Sequence, residues 1–319
     1  PNHKILLTFF SPSGYEIRKN YDLADWVFYL PSDTKKNAKK FISIVNPIKA
    51  IFIKYEFWFN YMAELNKKNI AFYSVSSIFR REQYFFKYDW AANQLNNVSL
   101  FFVQDKNSKE LLQNIGFTNC TVAGDTRFDS VIANTQKTAS IPLIEEFSKN
   151  KTTIICGSTW PKDEALLAKY IKENPNYNYI IAPHEILQIS VLQKQTNALL
   201  FSKADNTNIN NCNVLIIDSI GILSNIYKYG DLAYIGGGFG SGIHNILEAA
   251  TFGLPLVFGP NYQKFKEANE LIELGGAKSI SNYSELEITI LSSINFNKSI
   301  AKNYIKSNAG ATEIIISNI

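Results

Sequence analysis

Short apolar runs alternate with helix-length segments along nearly the whole chain. The runs predict strands over Ile5–Phe10, Trp26–Leu30, Ala50–Lys54, Ala71–Ser74, Leu100–Val103, Thr121–Ala123, Thr153–Cys156, Tyr179–Ala182, Val214–Ile217, Leu232–Ile235, Leu256–Phe258 and Ala277–Ile280. Between them, amphipathic spacing predicts helices over Thr34–Val45, Tyr55–Lys67, Lys106–Gln113, Asp163–Glu173, Gly221–Tyr227, Asn245–Thr251 and Gln263–Leu274. Strands that are apolar on both faces and alternate with helices belong to parallel sheets wound by helices. The rhythm breaks across Ser130–Asn150, which is polar and poorly periodic. The expected fold class is therefore α/β: two Rossmann-like lobes with parallel sheets and a cleft between them. The expected boundaries are 1–135 for the first lobe, 136–150 for a linker and 151–319 for the second lobe.

The 319 residues are 46% hydrophobic and 19% charged, enough to bury two cores and too apolar for a disordered chain. Three widely spaced cysteines, Cys120, Cys156 and Cys212, exclude a disulfide framework and any CxxC zinc or redox motif. Three histidines leave little for a metal centre, and no metal is expected. No apolar run reaches the roughly 18 residues that a spanning helix needs. The chain opens Pro-Asn-His and reaches an apolar run almost at once, the pattern expected of a fragment or processed chain.

Charge is unevenly placed. Residues 1–130 carry 17 Lys+Arg against 12 Asp+Glu, whereas residues 131–319 carry 15 against 16. A basic front half suits an anionic partner, either a phosphorylated ligand or a membrane surface. Phe79, Tyr84, Phe85, Phe86, Tyr88 and Trp90, interleaved with Arg80, Arg81 and Lys87, fit a membrane-surface patch, with about half of the rings expected in the core. A net charge of only +4 and the lack of a known module argue against nucleic acid.

The chemistry concentrates at predicted strand ends, where open α/β sheets bind ligands. After Leu232–Ile235 comes a glycine-rich turn, Gly236-Gly-Gly-Phe-Gly-Ser-Gly242, and then His244-Asn-Ile-Leu-Glu248. Such glycines let backbone approach a ligand, and a helix start offers N–H groups to an anion. The spacing matches neither GxGxxG nor a Walker A loop. Glu248 would suit the two hydroxyls of a ribose. Gly157 and Ser158 follow a second strand, Thr153–Cys156, before Trp160-Pro161 and an acidic first turn at Asp163 and Glu164. Pro183 and His184 end a third strand, and Asp218-Ser219-Ile220-Gly221 ends a fourth. In the front half, Ser13 and Gly14 lie in a polar turn after the first strand. Glu56 stands among aromatics, where apolar surroundings would raise a carboxyl pKa, and Arg127 is flanked by Asp125 and Asp129. For Glu56 and Arg127 a buried ion pair and a catalytic role are both open on these residues alone.

Taken in order, SPSGYE, YLPSD, KYEFW, GDTRFD, GSTW, APHE, DSIG and GGGFGSGIHNILEA resemble the Kdo transferases of lipopolysaccharide assembly over almost the whole chain. The resemblance implies a GT-B fold and an inverting, metal-independent transfer of 3-deoxy-D-manno-octulosonic acid (Kdo) from CMP-Kdo to the lipid A precursor, lipid IVA, with no cofactor. It implies a front lobe that holds the acceptor against an anionic membrane surface at the cytoplasmic face of the bacterial inner membrane. It also implies that Pro183, His184, Ile220, Gly221, Ile222, Asn245, Ile246, Leu247 and Glu248 contact CMP, and that Glu56 and Arg127 steady the transition state.

Two departures stand out. Many relatives carry an arginine near the Pro183-His184 turn, where this chain continues Glu185-Ile186-Leu187. The resemblance implies a general base, a glutamate in a Gly-Glu turn after the first strand of the front lobe with the membrane anchor before it; no such segment precedes Ile5, so this chain alone is expected to lack its base. The alternatives are another GT-B enzyme using a UDP-sugar, or a catalytically inactive glycolipid-binding adaptor.

Overall fold

The computed structural model describes residues 3–186, 189–294 and 297–319. Among them are thirteen strands: β1 (Leu6–Phe9), β2 (Trp26–Tyr29), β3 (Lys49–Ile53), β4 (Ala71–Ser77), β5 (Leu100–Val103), β6 (Cys120–Val122), β7 (Thr153–Thr159), β8 (Asn178–Pro183), β9 (Leu199–Leu200), β10 (Val214–Ile216), β11 (Leu232–Ile235), β12 (Leu256–Phe258) and β13 (Ala277–Ser279). Every pairing between them is parallel. The chain divides into two compact units, Pro1–Asp125 with Gly310–Ile319, and Thr126–Ala309.

In the first unit, β1 pairs with β2, and β3 to β6 form a four-stranded sheet in sequence order. One face of that sheet carries Phe72, Phe101, Val103 and Cys120 into a core built with Ile42, Met62, Leu65 and Leu112. The opposite face carries Val75, Phe102 and Ala123 against Ile315. That last contact assigns the C-terminal helix Ala311–Ile316 to this unit. Ser13 and Gly14, expected in a loop, lie in a helix, Pro12–Arg18. Ser11 caps it by accepting from the Gly14 N–H, and Pro12 takes the first turn, where a missing N–H costs nothing.

The second unit is built on one seven-stranded sheet in the order β13-β12-β11-β7-β8-β10-β9. Without the two-residue edge strand β9, this is the doubly wound 3-2-1-4-5-6 order, with β7 first and β11 fourth. Alternate residues go to opposite faces. Ile155, Ile180, Leu215, Ala233 and Leu256 enter one core, while Ile154, Tyr179, Val214, Leu232 and Val257 enter the other. Burial on both faces explains the unbroken apolar runs in the sequence.

The stretch expected as a linker is mostly helical. Phe128 and Val131 on Thr126–Gln136, and Ile144 and Phe147 on Pro142–Ser148, are buried in the core of the second unit. Two apolar residues per helix anchor each one, too few to show as periodicity among polar neighbours. The division therefore falls between Asp125 and Thr126 rather than across 136–150, and Arg127 lies in the second unit.

Candidate functional site

In a doubly wound sheet, helices cross to opposite faces on either side of the first strand, so the loops after strands one and four part and leave a crevice. Here those strands are β7 and β11. Their register is Ile154 with Leu232 through Gly157 with Ile235, so Gly157–Trp160 and Gly236–His244 leave the sheet side by side.

The glycines of this turn do something other than expected. A Cβ on Gly236 would lie 2.2 Å from the Ser158 carbonyl oxygen, and one on Gly238 would lie 2.6 Å from the Gly259 Cα. Gly237 has φ +90°, and its Cβ would meet the Gly242 carbonyl at 2.6 Å. The glycines are there so that the turn can press against its own protein backbone. Gly221 is different: it needs φ +95° and faces open space.

The turn is held by a residue that the sequence reading passed over. Asp163, fully buried, accepts from the Tyr234 hydroxyl at 2.7 Å, the Gly237 N–H at 2.9 Å and the Trp160 N–H at 3.0 Å. One carboxylate thus ties the end of β7, the end of β11 and the helix Pro161–Glu173 together. Its position in an acidic first turn after Pro161 was visible, but that pattern also fits an ordinary N-terminal charge preference.

Three rings stand beside this carboxylate. Trp160 and His184 stack with centroids 4.5 Å apart, and His184 and His244 lie 4.6 Å apart. The Trp160 indole N–H donates to His244 Nε2 at 2.8 Å. His244 titrates below the ordinary histidine range because burial disfavours its charged form, and His184 nearby pushes the same way. His184 itself is exposed, and its own N–H donates to the Thr159 carbonyl at 2.9 Å, which fixes the turn.

At the start of the helix Leu247–Thr251, Asn245 Oδ1 accepts from the Leu247 N–H at 3.2 Å, and its Nδ2 donates to Glu248 Oε1 at 3.1 Å. Burial pushes the Glu248 carboxyl up, and the Asn245 hydrogen bond partly opposes it. The Ile220 side chain is 89% exposed beside Gly221, an apolar surface presented to solvent at the end of β10. Asp218 in the same turn accepts from the Ser202 N–H at 2.9 Å.

The structure therefore gathers Gly157, Ser158, Pro183, His184, Ile220, Gly221, Ile222, Asn245 and Glu248 at the carboxyl ends of strands in one sheet. Ile246 and Leu247 differ from expectation: they are 1% and 0% exposed and belong to the core, so only their backbone faces the turn. Gly157 is closed on its Cβ side by the Tyr227 hydroxyl. Leu187, in the turn where many relatives are expected to carry arginine, lies outside the described residues.

The remaining candidates stand elsewhere. Ser13, Gly14 and Glu56 belong to the first unit, and Glu56 is exposed rather than enclosed by aromatics. Arg127 opens the helix Thr126–Gln136, and its guanidinium donates to Glu267 Oε1 at 2.9 Å. Glu267 is buried, so the arginine neutralises a carboxylate of the second unit, a partner 140 residues away that no local pattern announces. Of the front aromatics, Phe79 and Phe85 are buried, while Tyr84, Tyr88 and Trp90 are exposed beside the exposed Arg80, Arg81 and Lys87. No helix among the described residues is long and apolar enough to cross a membrane. Among the same residues, no three His, Cys, Asp or Glu side chains gather where they could hold a metal ion.

Parallel-sheet units of this kind, with a doubly wound second unit, define a GT-B-type α/β protein. UDP-GlcNAc 2-epimerase from Neisseria meningitidis, solved with UDP-GlcNAc bound, shares this fold with a TM-score of 0.68 at 13% identity, over 98% of this chain and 90% of that one. Residues 1–130 match the family model for 3-deoxy-D-manno-octulosonic-acid transferase (kdotransferase). The 3-deoxy-D-manno-octulosonic acid transferase of Aquifex aeolicus is 26% identical over 307 residues, 93% of this chain and 80% of that protein. That of Rickettsia typhi is 26% identical over 330 residues, 97% of this chain and 69% of its own. The resemblance carried by the motifs is borne out: the chain is similar to the Kdo transferases over most of its length.

Proposed function

We propose that this chain is a glycosyltransferase that moves Kdo from CMP-Kdo to the lipid A precursor, lipid IVA, with inversion and without a metal or cofactor. The observation that carries this reading is the set of strand-end residues gathered around the β7–β11 switch point. CMP offers a flat base, a ribose diol and one phosphate. The exposed Ile220 beside the open Gly221 provides an apolar surface for the base, and Glu248, steadied by Asn245, provides acceptors for the ribose hydroxyls. The His184 turn and the adjacent His244 ring are left for the phosphate. Glu56 and Arg127 are assigned to steady the charge that builds on the departing phosphate and on an oxocarbenium-like sugar. The basic, aromatic surface around Arg80, Arg81, Lys87, Tyr84, Tyr88 and Trp90 supports seating on an anionic membrane at the cytoplasmic face of the inner membrane.

Calorimetry with CMP and UDP tests the donor. A CMP-sugar enzyme binds CMP more tightly. A UDP-sugar enzyme, the reading that the epimerase-like fold would favour, binds UDP more tightly through its second phosphate.

A further inference from the structure

The three rings beside Asp163 carry a protonation assignment. An indole N–H can only donate, so the 2.8 Å contact from Trp160 requires His244 Nε2 to be an unprotonated acceptor. A neutral imidazole with a bare Nε2 has its proton on Nδ1. The Cδ2–Nε2 edge of the ring faces the glycine turn, where a Cβ on Gly237 would sit 3.0 Å from Cδ2 and 3.4 Å from Nε2. Nδ1 is on the opposite side of the ring and has no hydrogen-bond partner among the described residues. The charged or titratable groups that act on the ring are His184 from the end of β8 and Asp163 from the helix Pro161–Glu173.

We propose that Trp160 fixes His244 as a neutral Nδ1–H donor, and that this N–H receives an oxygen of the donor nucleotide's phosphate. The inference rests on the CMP-sugar reading above. It assigns a phosphate contact to His244 and a positioning role to Trp160. A neutral, aimed N–H holds an anionic oxygen by direction rather than by net charge, which fits a half of the chain with 15 cationic against 16 acidic residues. Removing the indole N–H leaves the imidazole free to place its proton on Nε2, which turns a bare nitrogen toward the phosphate.

Long-range proton–nitrogen NMR of the ligand-free full chain reads the tautomer directly. The expected result is a protonated Nδ1 and a bare Nε2, and a protonated Nε2 in the wild type overturns the proposal. Trp160→Phe, which keeps a stacking ring, should shift the proton toward Nε2 and weaken CMP about tenfold, while cytidine, which lacks the phosphate, changes less than about twofold. His244→Asn, whose amide N–H stands near the Nδ1 position, should retain more CMP affinity than His244→Gln, whose amide reaches the Nε2 position. Equal losses for CMP and cytidine in Trp160→Phe would make the ring a structural wall and overturn the phosphate contact. Failure of the wild type to bind CMP would instead count against the donor reading, and the tautomer would still be decided without ligand.

Discussion

Replacing Asp163 by alanine removes the one acceptor shared by three donors, two of them buried and the Trp160 N–H half-buried. The Trp160 N–H, the Gly237 N–H and the Tyr234 hydroxyl would each lose a hydrogen bond to a fully buried carboxylate. A buried donor left without a partner costs about 1–3 kcal/mol, so three cost about 3–6 kcal/mol after some relaxation. Asparagine keeps one oxygen. It can serve the two N–H groups while the Tyr234 hydroxyl turns to accept, so Asp163→Asn should cost about 1–3 kcal/mol. Urea unfolding of the full chain, followed by circular dichroism and by exchange of the Gly237 amide, measures both variants. Alanine should also weaken CMP, because the two loops that flank the switch point lose their common anchor. An Asp163→Ala variant within about 0.5 kcal/mol of wild type, with Gly237 still protected, would refute this reasoning, since that range is typical of an inert surface change.

Three further expectations follow from the same geometry. Glu248→Gln should weaken CMP by about 1–3 kcal/mol yet slightly stabilise the ligand-free fold near neutral pH; burial raises this carboxyl, so its ionisation costs stability as pH climbs through the folded pKa, and a fall in melting temperature would contradict the assignment. Arg127→Ala should destabilise the second unit by about 1–3 kcal/mol by stranding the buried Glu267, whereas Arg127→Ala with Glu267→Gln should recover most of that loss. A transfer rate that stays low in the stable double variant supports a catalytic arginine, and a rate that returns with stability makes it a structural ion pair. Reversing Arg80, Arg81 and Lys87 to glutamate should abolish binding to vesicles containing anionic lipid, and wild-type binding should fade as salt rises; binding indifferent to both would remove the membrane face.

The fold was legible because parallel strands buried on both faces write themselves as apolar runs. All twelve expected strands form, and the additional one, Leu199–Leu200, is two residues long at a sheet edge. Helices with thin apolar faces were not legible. Pro142–Ser148 is anchored by Ile144 and Phe147, and Thr126–Gln136 chiefly by Phe128 and Val131, so the former read as linker and the latter as the end of the first lobe. Strand-end turns such as Pro183-His184 and Asn245–Glu248 carried local signals, and the structure places them at strand ends of one sheet. Asp163 was missed because its partners Tyr234 and Gly237 lie 71 and 74 residues away in the chain, and Trp160 because His244 lies 84 away. The glycine turn was located correctly but explained by ligand approach, whereas Gly236 and Gly238 face the protein's own backbone.

A crystal structure of the full chain with CMP tests the central claim most directly. The account predicts the nucleotide at the carboxyl ends of β7 and β11, with its ribose hydroxyls on Glu248, its base against Ile220 and Gly221, and its phosphate beside His184 and His244. Nucleotide bound away from these strand ends, or a ribose that leaves Glu248 untouched, would contradict it.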